Sequence, residues 1–355
     1  MLRSVILCLL TSIAGYSFPQ EINTAKLDSF FQVLEENQKF MGSVAVSKDG
    51  VVLYSRSAGY RDVETESKSD ANTKYRIGSI SKTFTTVLAL RAAEERKLDL
   101  DGHLDYYFPS IPNAEKITIR QLLYHRSGIH DFTEASEYDA WRHQPKTKFE
   151  MLNLFEKMSS DFEPDSRAAY SNSNFVLLSY IIEAVYNQSY PEILKENIID
   201  KLGLANTYYG GPADPAKNES YSYIYISSWD KVVETDMSIP QGAGGIVSTP
   251  LDMIRFGEAL FAGKIISPES LQQMMTLKDD YGMGLFQAPF EDKRGYGHTG
   301  SIDGFMASFF HFPVEKISVA LISNGSNYDL NNIGIAVLSS VFNLPFDIPV
   351  FTKYD

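Results

Sequence analysis

Tyr75-Arg76-Ile77-Gly78-Ser79-Ile80-Ser81-Lys82-Thr83-Phe84 is the stretch on which the reading of this chain turns. A strand end runs through a glycine into a helix, which the apolar pattern predicts over residues 79–95 with Phe84, Val87, Leu88 and Ala92 as its buried stripe. Ser79 and Lys82 are three apart, so a helix sets them on one face. A serine hydroxyl becomes a nucleophile when a base takes its proton. A lysine can be that base once burial or nearby cations bring its pKa toward neutrality. Alone the pair is weak, since Ser-x-x-Lys arises by chance roughly once or twice in a chain of this size. Ser228-Trp229-Asp230-Lys231 is such a match, in no comparable setting. The bland alternative is a helix-capping serine followed by a solvated lysine.

Working outward, helical spacing recurs at 25–38, 174–186, 191–202, 250–261 and 332–342. Apolar runs flank Lys48-Asp49-Gly50, the signal of a β-hairpin. Further strands are expected at 295–298, 305–312 and 317–322. Strands thus cluster at both ends of the chain, with a mainly helical middle. This order predicts an α/β (α+β) fold, with an antiparallel sheet assembled from both chain ends, flanked by helices, and a helical lobe inserted between them. The catalytic domain is expected over 21–355, its α/β lobe near 21–85 and 245–355 and its helical lobe near 86–244. Ser79 would lie at their seam, where pockets form. The aromatic stretch 129–168 and the tyrosines at 221–225 either line the entrance or pack within the lobe.

Two further motifs carry chemistry. Tyr170-Ser171-Asn172 precedes a helix. A phenol near a lysine can pass protons if the cation lowers its pKa, and an asparagine can hold both an ammonium and a substrate carbonyl. The bland reading is a turn that caps the helix. His298-Thr299-Gly300-Ser301 follows a strand-like run and Gly297; a glycine there would let a substrate lie along a strand edge, and the alternative is an ordinary β-turn.

The chain has 355 residues and a net charge of -13, which argues against nucleic acid or an anionic membrane as the main partner. Its one cysteine, Cys8, permits no internal disulfide, and the six histidines show no zinc-ligand spacing, so no metal is expected. Met1-Leu2-Arg3, an apolar run from Ser4 to Ala14 and the small residues after it read as a signal peptide over 1–17, cleaved after Ala14 or Ser17. The expected location is secreted or periplasmic, without stable membrane insertion; the alternative is an uncleaved N-terminal anchor. The run is too short for an ordinary span.

In this order, Arg76-Ile77-Gly78-Ser79-Ile80-Ser81-Lys82, Leu122-Leu123-Tyr124-His125-Arg126-Ser127-Gly128, Tyr170-Ser171-Asn172, Gly244-Gly245-Ile246-Val247-Ser248-Thr249 and Gly297-His298-Thr299-Gly300 resemble the serine β-lactamase and penicillin-binding-protein superfamily. The resemblance is to its branch of class C β-lactamases, D-Ala-D-Ala carboxypeptidases and esterases. It implies a serine hydrolase without cofactor, acting on a small-molecule or peptide substrate. Ser79 would form the acyl-enzyme, Lys82 and Tyr170 would exchange protons, and Asn172 would orient lysine and substrate. The amides of Ser79 and Ser301 would form an oxyanion hole, with Thr299 and Gly300 beside the substrate. His298 stands where that family usually carries lysine. A neutral, shorter histidine offers no permanent cation to a substrate carboxylate, so amide, peptide or ester hydrolysis is expected over β-lactam turnover. The readings set against this are a non-catalytic peptidoglycan- or peptide-binding relative and a true β-lactamase. Oligomeric state is not read from the sequence.

Overall fold

The structure is a computed structural model that describes residues 22–352. The expected leader lies outside the described residues. Helix α1 (Thr24–Glu36) begins where the Asn23 side chain accepts the Lys26 amide at 3.0 Å, and it buries Leu27, Phe30, Phe31 and Leu34. The hairpin follows as β1 (Phe40–Lys48) and β2 (Val51–Ala58). Asp49 and Gly50 both take positive φ, 50° and 80°, as a tight hairpin turn requires. Then come α2 (Ser81–Glu94), α3 (Ile119–Leu123), α4 (Asn172–Tyr186) and α5 (Pro250–Phe261). The chain returns to the sheet as β3 (Phe286–Phe290), β4 (Lys293–Ile302), β5 (Phe305–Phe312) and β6 (Ile317–Ser326), and α6 (Leu330–Val341) follows.

These strands form one antiparallel sheet in the order β3-β4-β5-β6-β1-β2. The first strands therefore pair with the last, with Val44 opposite Leu321 and Val46 opposite Val319, as the two-ended assembly predicted. β1 is buried on both faces because helices cover both. On one face Val44, Val46, Val319 and Leu321 pack with α1 and α6. On the other, Ala45, Ala320, Ile322 and Phe309 join the larger core with α2 and α5. A Cβ on Gly257 of α5 would fall 1.9 Å from the Phe309 ring, so this helix lies on the sheet only as glycine. Phe84 of α2 stacks on Phe256 of α5 at 3.7 Å and 10°.

Helix α2 is buried nearly all round, its Ser, Lys and Thr residues included, so it is an internal strut and not a surface helix. A three-stranded sheet of Tyr75–Arg76, Ile246–Ser248 and Tyr208–Tyr209 ties its approach to the glycine-rich stretch.

Local details depart from the sequence expectations. The helix at Ser79 opens as a 3-10 turn, Gly78–Ile80, before α2 begins at Ser81. The 191–202 helix breaks into Tyr190–Leu194, a π segment Lys195–Ile199 and Asp200–Leu202. β3 was not foreseen, because Pro289 reads against a strand; as an edge strand it tolerates proline. β4 runs on to Ile302, so His298-Thr299-Gly300-Ser301 lies within the strand and not in a turn after it. Among the described residues no helix is long and apolar enough to cross a membrane.

Candidate active site

Two glycines decide where Ser79 stands. Gly78 has φ +52°, and a Cβ there would lie 2.8 Å from the Ser301 nitrogen and 2.9 Å from the Ser301 oxygen. A Cβ on Gly300 would fall 2.0 Å from the Ile77 oxygen and 3.2 Å from the Ser79 nitrogen. Turn and strand therefore meet backbone to backbone, which brings the amides of Ser79 and Ser301 close together. The turn is held from the other side by the Ile77 amide on the Ile246 carbonyl, 3.0 Å.

Lys82, one turn into the helix, is wholly buried. Its Nζ lies 2.9 Å from Ser79 Oγ, 2.7 Å from Asn172 Oδ1 and 2.9 Å from the Ala243 carbonyl. Burial pulls its pKa down to about 7, against a smaller opposing pull from Asp131. A neutral lysine has two N–H donors and one lone pair. The two carbonyl oxygens take the donors, and the lone pair is left for the Ser79 hydroxyl.

Tyr170 Oη donates to Ser79 Oγ at 2.7 Å. The expectation that lysine lowers this phenol's pKa is corrected: burial pushes it well up, outweighing the hydrogen bond to Ser79. Lys82 lies 4.8 Å from the centre of the Tyr170 ring, against its face. Asn172, the first residue of α4, is fixed in one orientation. Its Oδ1 takes Lys82, and its Nδ2 donates to Asp131 Oδ2 at 2.8 Å and to Thr133 Oγ1 at 3.3 Å.

His298 is buried between Phe286 and Tyr170, with ring centres 4.1 and 6.2 Å away. Its Nδ1 donates to the Thr299 carbonyl, which leaves Nε2 as an acceptor with no partner. Burial, and then Lys82, lower its pKa to about 3, so the ring is neutral. Along β4, Thr299 and Ser301 are exposed toward the site while Gly300 is buried.

Two residues of this site carried no role in the sequence reading. Asp131 caps Phe132–Glu134 and also holds Asn172. His125 was visible only as part of a motif. Its ring stacks on Tyr170 at 4.6 Å and 28°, and its Nδ1 accepts the Ser171 amide at 3.1 Å. Among the described residues, no three His, Cys, Asp or Glu side chains are grouped to hold a metal.

The family model described as Beta-lactamase matches residues 27–338. The chain belongs to the beta-lactamase family. It is a serine hydrolase of that family. Penicillin-binding protein 4* of Bacillus subtilis strain 168 is 27% identical over 349 residues, 91% of this chain and 77% of that protein. Teichoic acid D-alanine hydrolase of Staphylococcus aureus is 26% identical over 284 residues, 78% of this chain and 69% of that protein. The fold is similar to that of D-amino acid amidase from Ochrobactrum anthropi SV3, with a TM-score of 0.79 at 24% identity, covering 90% of this chain and 99% of that one.

In this member of the beta-lactamase family two cavities diverge from Ser79, Asn172 and Ser301. One, of about 900 Å³, passes Tyr170 and His298. The other, of about 310 Å³, is polar and lined by Thr133, Arg142, Gly244 and Asp303 among others. Asp303, with its carboxylate fully buried, joins Arg76 at 2.9 Å and Arg142 at 2.8 Å, and accepts the Thr235 amide at 2.9 Å. From the 129–168 stretch, Thr133, Tyr138 and Arg142 face the polar cavity, while Trp141 and Phe155 pack on Phe132. The tyrosines at 221–225 line neither cavity.

Proposed function

We propose that the protein hydrolyses small amides, peptides or esters through an acyl-enzyme on Ser79, and does so as a secreted enzyme. The observation that carries the reading is the buried Lys82 amine, 2.9 Å from Ser79 Oγ with both of its neutral-state donors already taken by carbonyls. In acylation Ser79 Oγ bonds to the substrate carbonyl carbon as its proton passes to Lys82 Nζ. The oxyanion forms against the amides of Ser79 and Ser301. The bond to the leaving atom breaks as Tyr170 Oη gives that atom its proton. The phenol's raised pKa disfavours a free tyrosinate, so the lysine proton refills Tyr170 in the same movement. Water then attacks the acyl carbon, gives a proton to Lys82 and frees the acid, and Ser79 regains its hydrogen.

The names of its relatives, a D-amino acid amidase and a teichoic acid D-alanine hydrolase, favour a D-amino acyl group as the substrate's acid part. A purely binding role is disfavoured by the joint presence of Ser79, Lys82, Tyr170 and Asn172 in one hydrogen-bonded set. Secretion rests on the leader-like residues 1–17 alone. A panel of D-aminoacyl amides, D-amino-acid peptides, p-nitrophenyl esters and nitrocefin tests the reading. Turnover of one of the first three classes, lost in a folded Ser79→Ala variant, is expected; retained turnover in that variant, or efficient turnover of nitrocefin alone, contradicts it.

A further inference from the structure

The larger cavity does more than open the nucleophile to solvent. It runs between α6 and strands β3, β4 and β5 on the face of the sheet that carries α1 and α6, and Phe342 closes its far end against Phe290 and Phe312. Burial along β5 records this: Phe305, Ala307 and Phe309 are buried on one face, while Met306, Ser308 and Phe310 on the other are half-exposed. Phe286, Pro289, Met306, Phe310, Ile335 and Leu338 give the trench apolar walls. Asp329 is its one charged lining residue among the described residues, and that carboxylate is taken up in capping α6 through the Asn331 amide, 2.8 Å. Ile335 remains 51% exposed at the rim, a large apolar side chain without cover.

Gly334 is the second sign of an occupant. It lies inside α6, where glycine costs helix stability. It has no positive φ, and a Cβ there would meet nothing within 4 Å. Neither backbone strain nor a close neighbour calls for glycine. What its missing side chain does is leave the trench wall open.

We infer that this trench holds an extended apolar leaving group, so that the substrate is an ester or amide of a short polar acid with an alkyl or aryl alcohol or amine. The inference rests on the Ser79 hydrolase reading. The direction follows from the site's asymmetry. Tyr170, the donor to the leaving atom, and His298 line the trench and not the polar cavity, whereas Arg142 and Asp303 line only the polar one. About 900 Å³ lies within the range that encloses most of a drug-sized ligand.

The test compares two series of soluble esters, acetates of ethyl to octyl alcohol and ethyl esters of acetic to octanoic acid. Each fully buried methylene is worth up to about fourfold in affinity. In the alcohol series kcat/KM should climb about two- to fourfold per carbon until the trench is filled, while the acid series stays flat or falls. Gly334→Trp, which sets an indole at a trench-lining position whose Cβ would meet nothing within 4 Å, should abolish the climb, read as the octyl-to-ethyl ratio in protein with an unchanged melting curve. A climb in the acid series instead, or a climb that survives Gly334→Trp, overturns the inference. No climb in either series, with ethyl acetate still cleaved and that cleavage lost in Ser79→Ala, overturns it and leaves the hydrolase reading standing. No Ser79-dependent cleavage of any ester or amide removes both.

Discussion

At the scale of single residues the chemistry of the site rests on protonation. Lys82, Ser79, Tyr170 and Asn172 were all legible, because each brings a reactive or orienting group inside a short motif. Their states were not legible, because burial sets them and burial belongs to the fold. Lys82 is brought near neutrality and Tyr170 is pushed away from it by the same loss of water, since burial opposes charge of either sign. His298 is neutral for the same reason. This predicts that His298→Lys, by supplying a cation and a charge-assisted hydrogen bond, speeds acylation by benzylpenicillin about tenfold or more. Stopped-flow acylation rates check it; an unchanged rate would show that the missing cation is not what disfavours β-lactams.

At the scale of elements the site depends on one backbone contact, between the 3-10 turn at Ser79 and strand β4. The glycine pattern hinted at it, but only the structure pairs Gly78 with Ser301 and Gly300 with Ile77. The strand's extension to Ile302 was hidden because the expected strand ended at residue 298 and His298-Thr299-Gly300-Ser301 also fits a turn. Gly300→Ala drives a methyl group onto the Ile77 carbonyl, which is backbone and cannot turn aside. We expect a loss of kcat of about 100-fold or more, because a displacement near 1 Å of the nucleophile is enough to cause it. Overpacking should cost about 1–3 kcal/mol besides. Steady-state kinetics and urea unfolding measure the two separately; wild-type kcat in Gly300→Ala would contradict the contact's importance.

At the scale of the molecule, sequence order foretold a sheet closed by its two ends, and β1 beside β6 carries that out. What the sequence could not carry were partners far apart in the chain. Asp131 reaches Asn172 across 41 residues, and Arg76 reaches Asp303 across 227. Nothing in the local sequence around Asp131 or Arg76 names these partners. Asp303, its carboxylate buried, ties the end of β4 to Arg76, Arg142 and the 235 loop beside the polar cavity. Removing it leaves Arg76, only 3% exposed, short of a counter-charge, so Asp303→Ala should destabilise by about 3–5 kcal/mol. A small shift of the urea midpoint would mean that Glu234, 3.1 Å from Arg76, suffices as its counter-charge.

The most direct test is the rate at which a fluorophosphonate labels the intact protein, followed from pH 5 to pH 9, with the modified peptide identified by mass. The label should sit on Ser79, and its rate constant should rise with pH along a one-proton curve centred near 7, as Lys82 loses its proton. In Lys82→Met the rate should drop by about 10²–10⁴ and the curve should vanish. Label on another serine, or a rate on Ser79 that is flat across this range, would contradict a neutral Lys82 as the base.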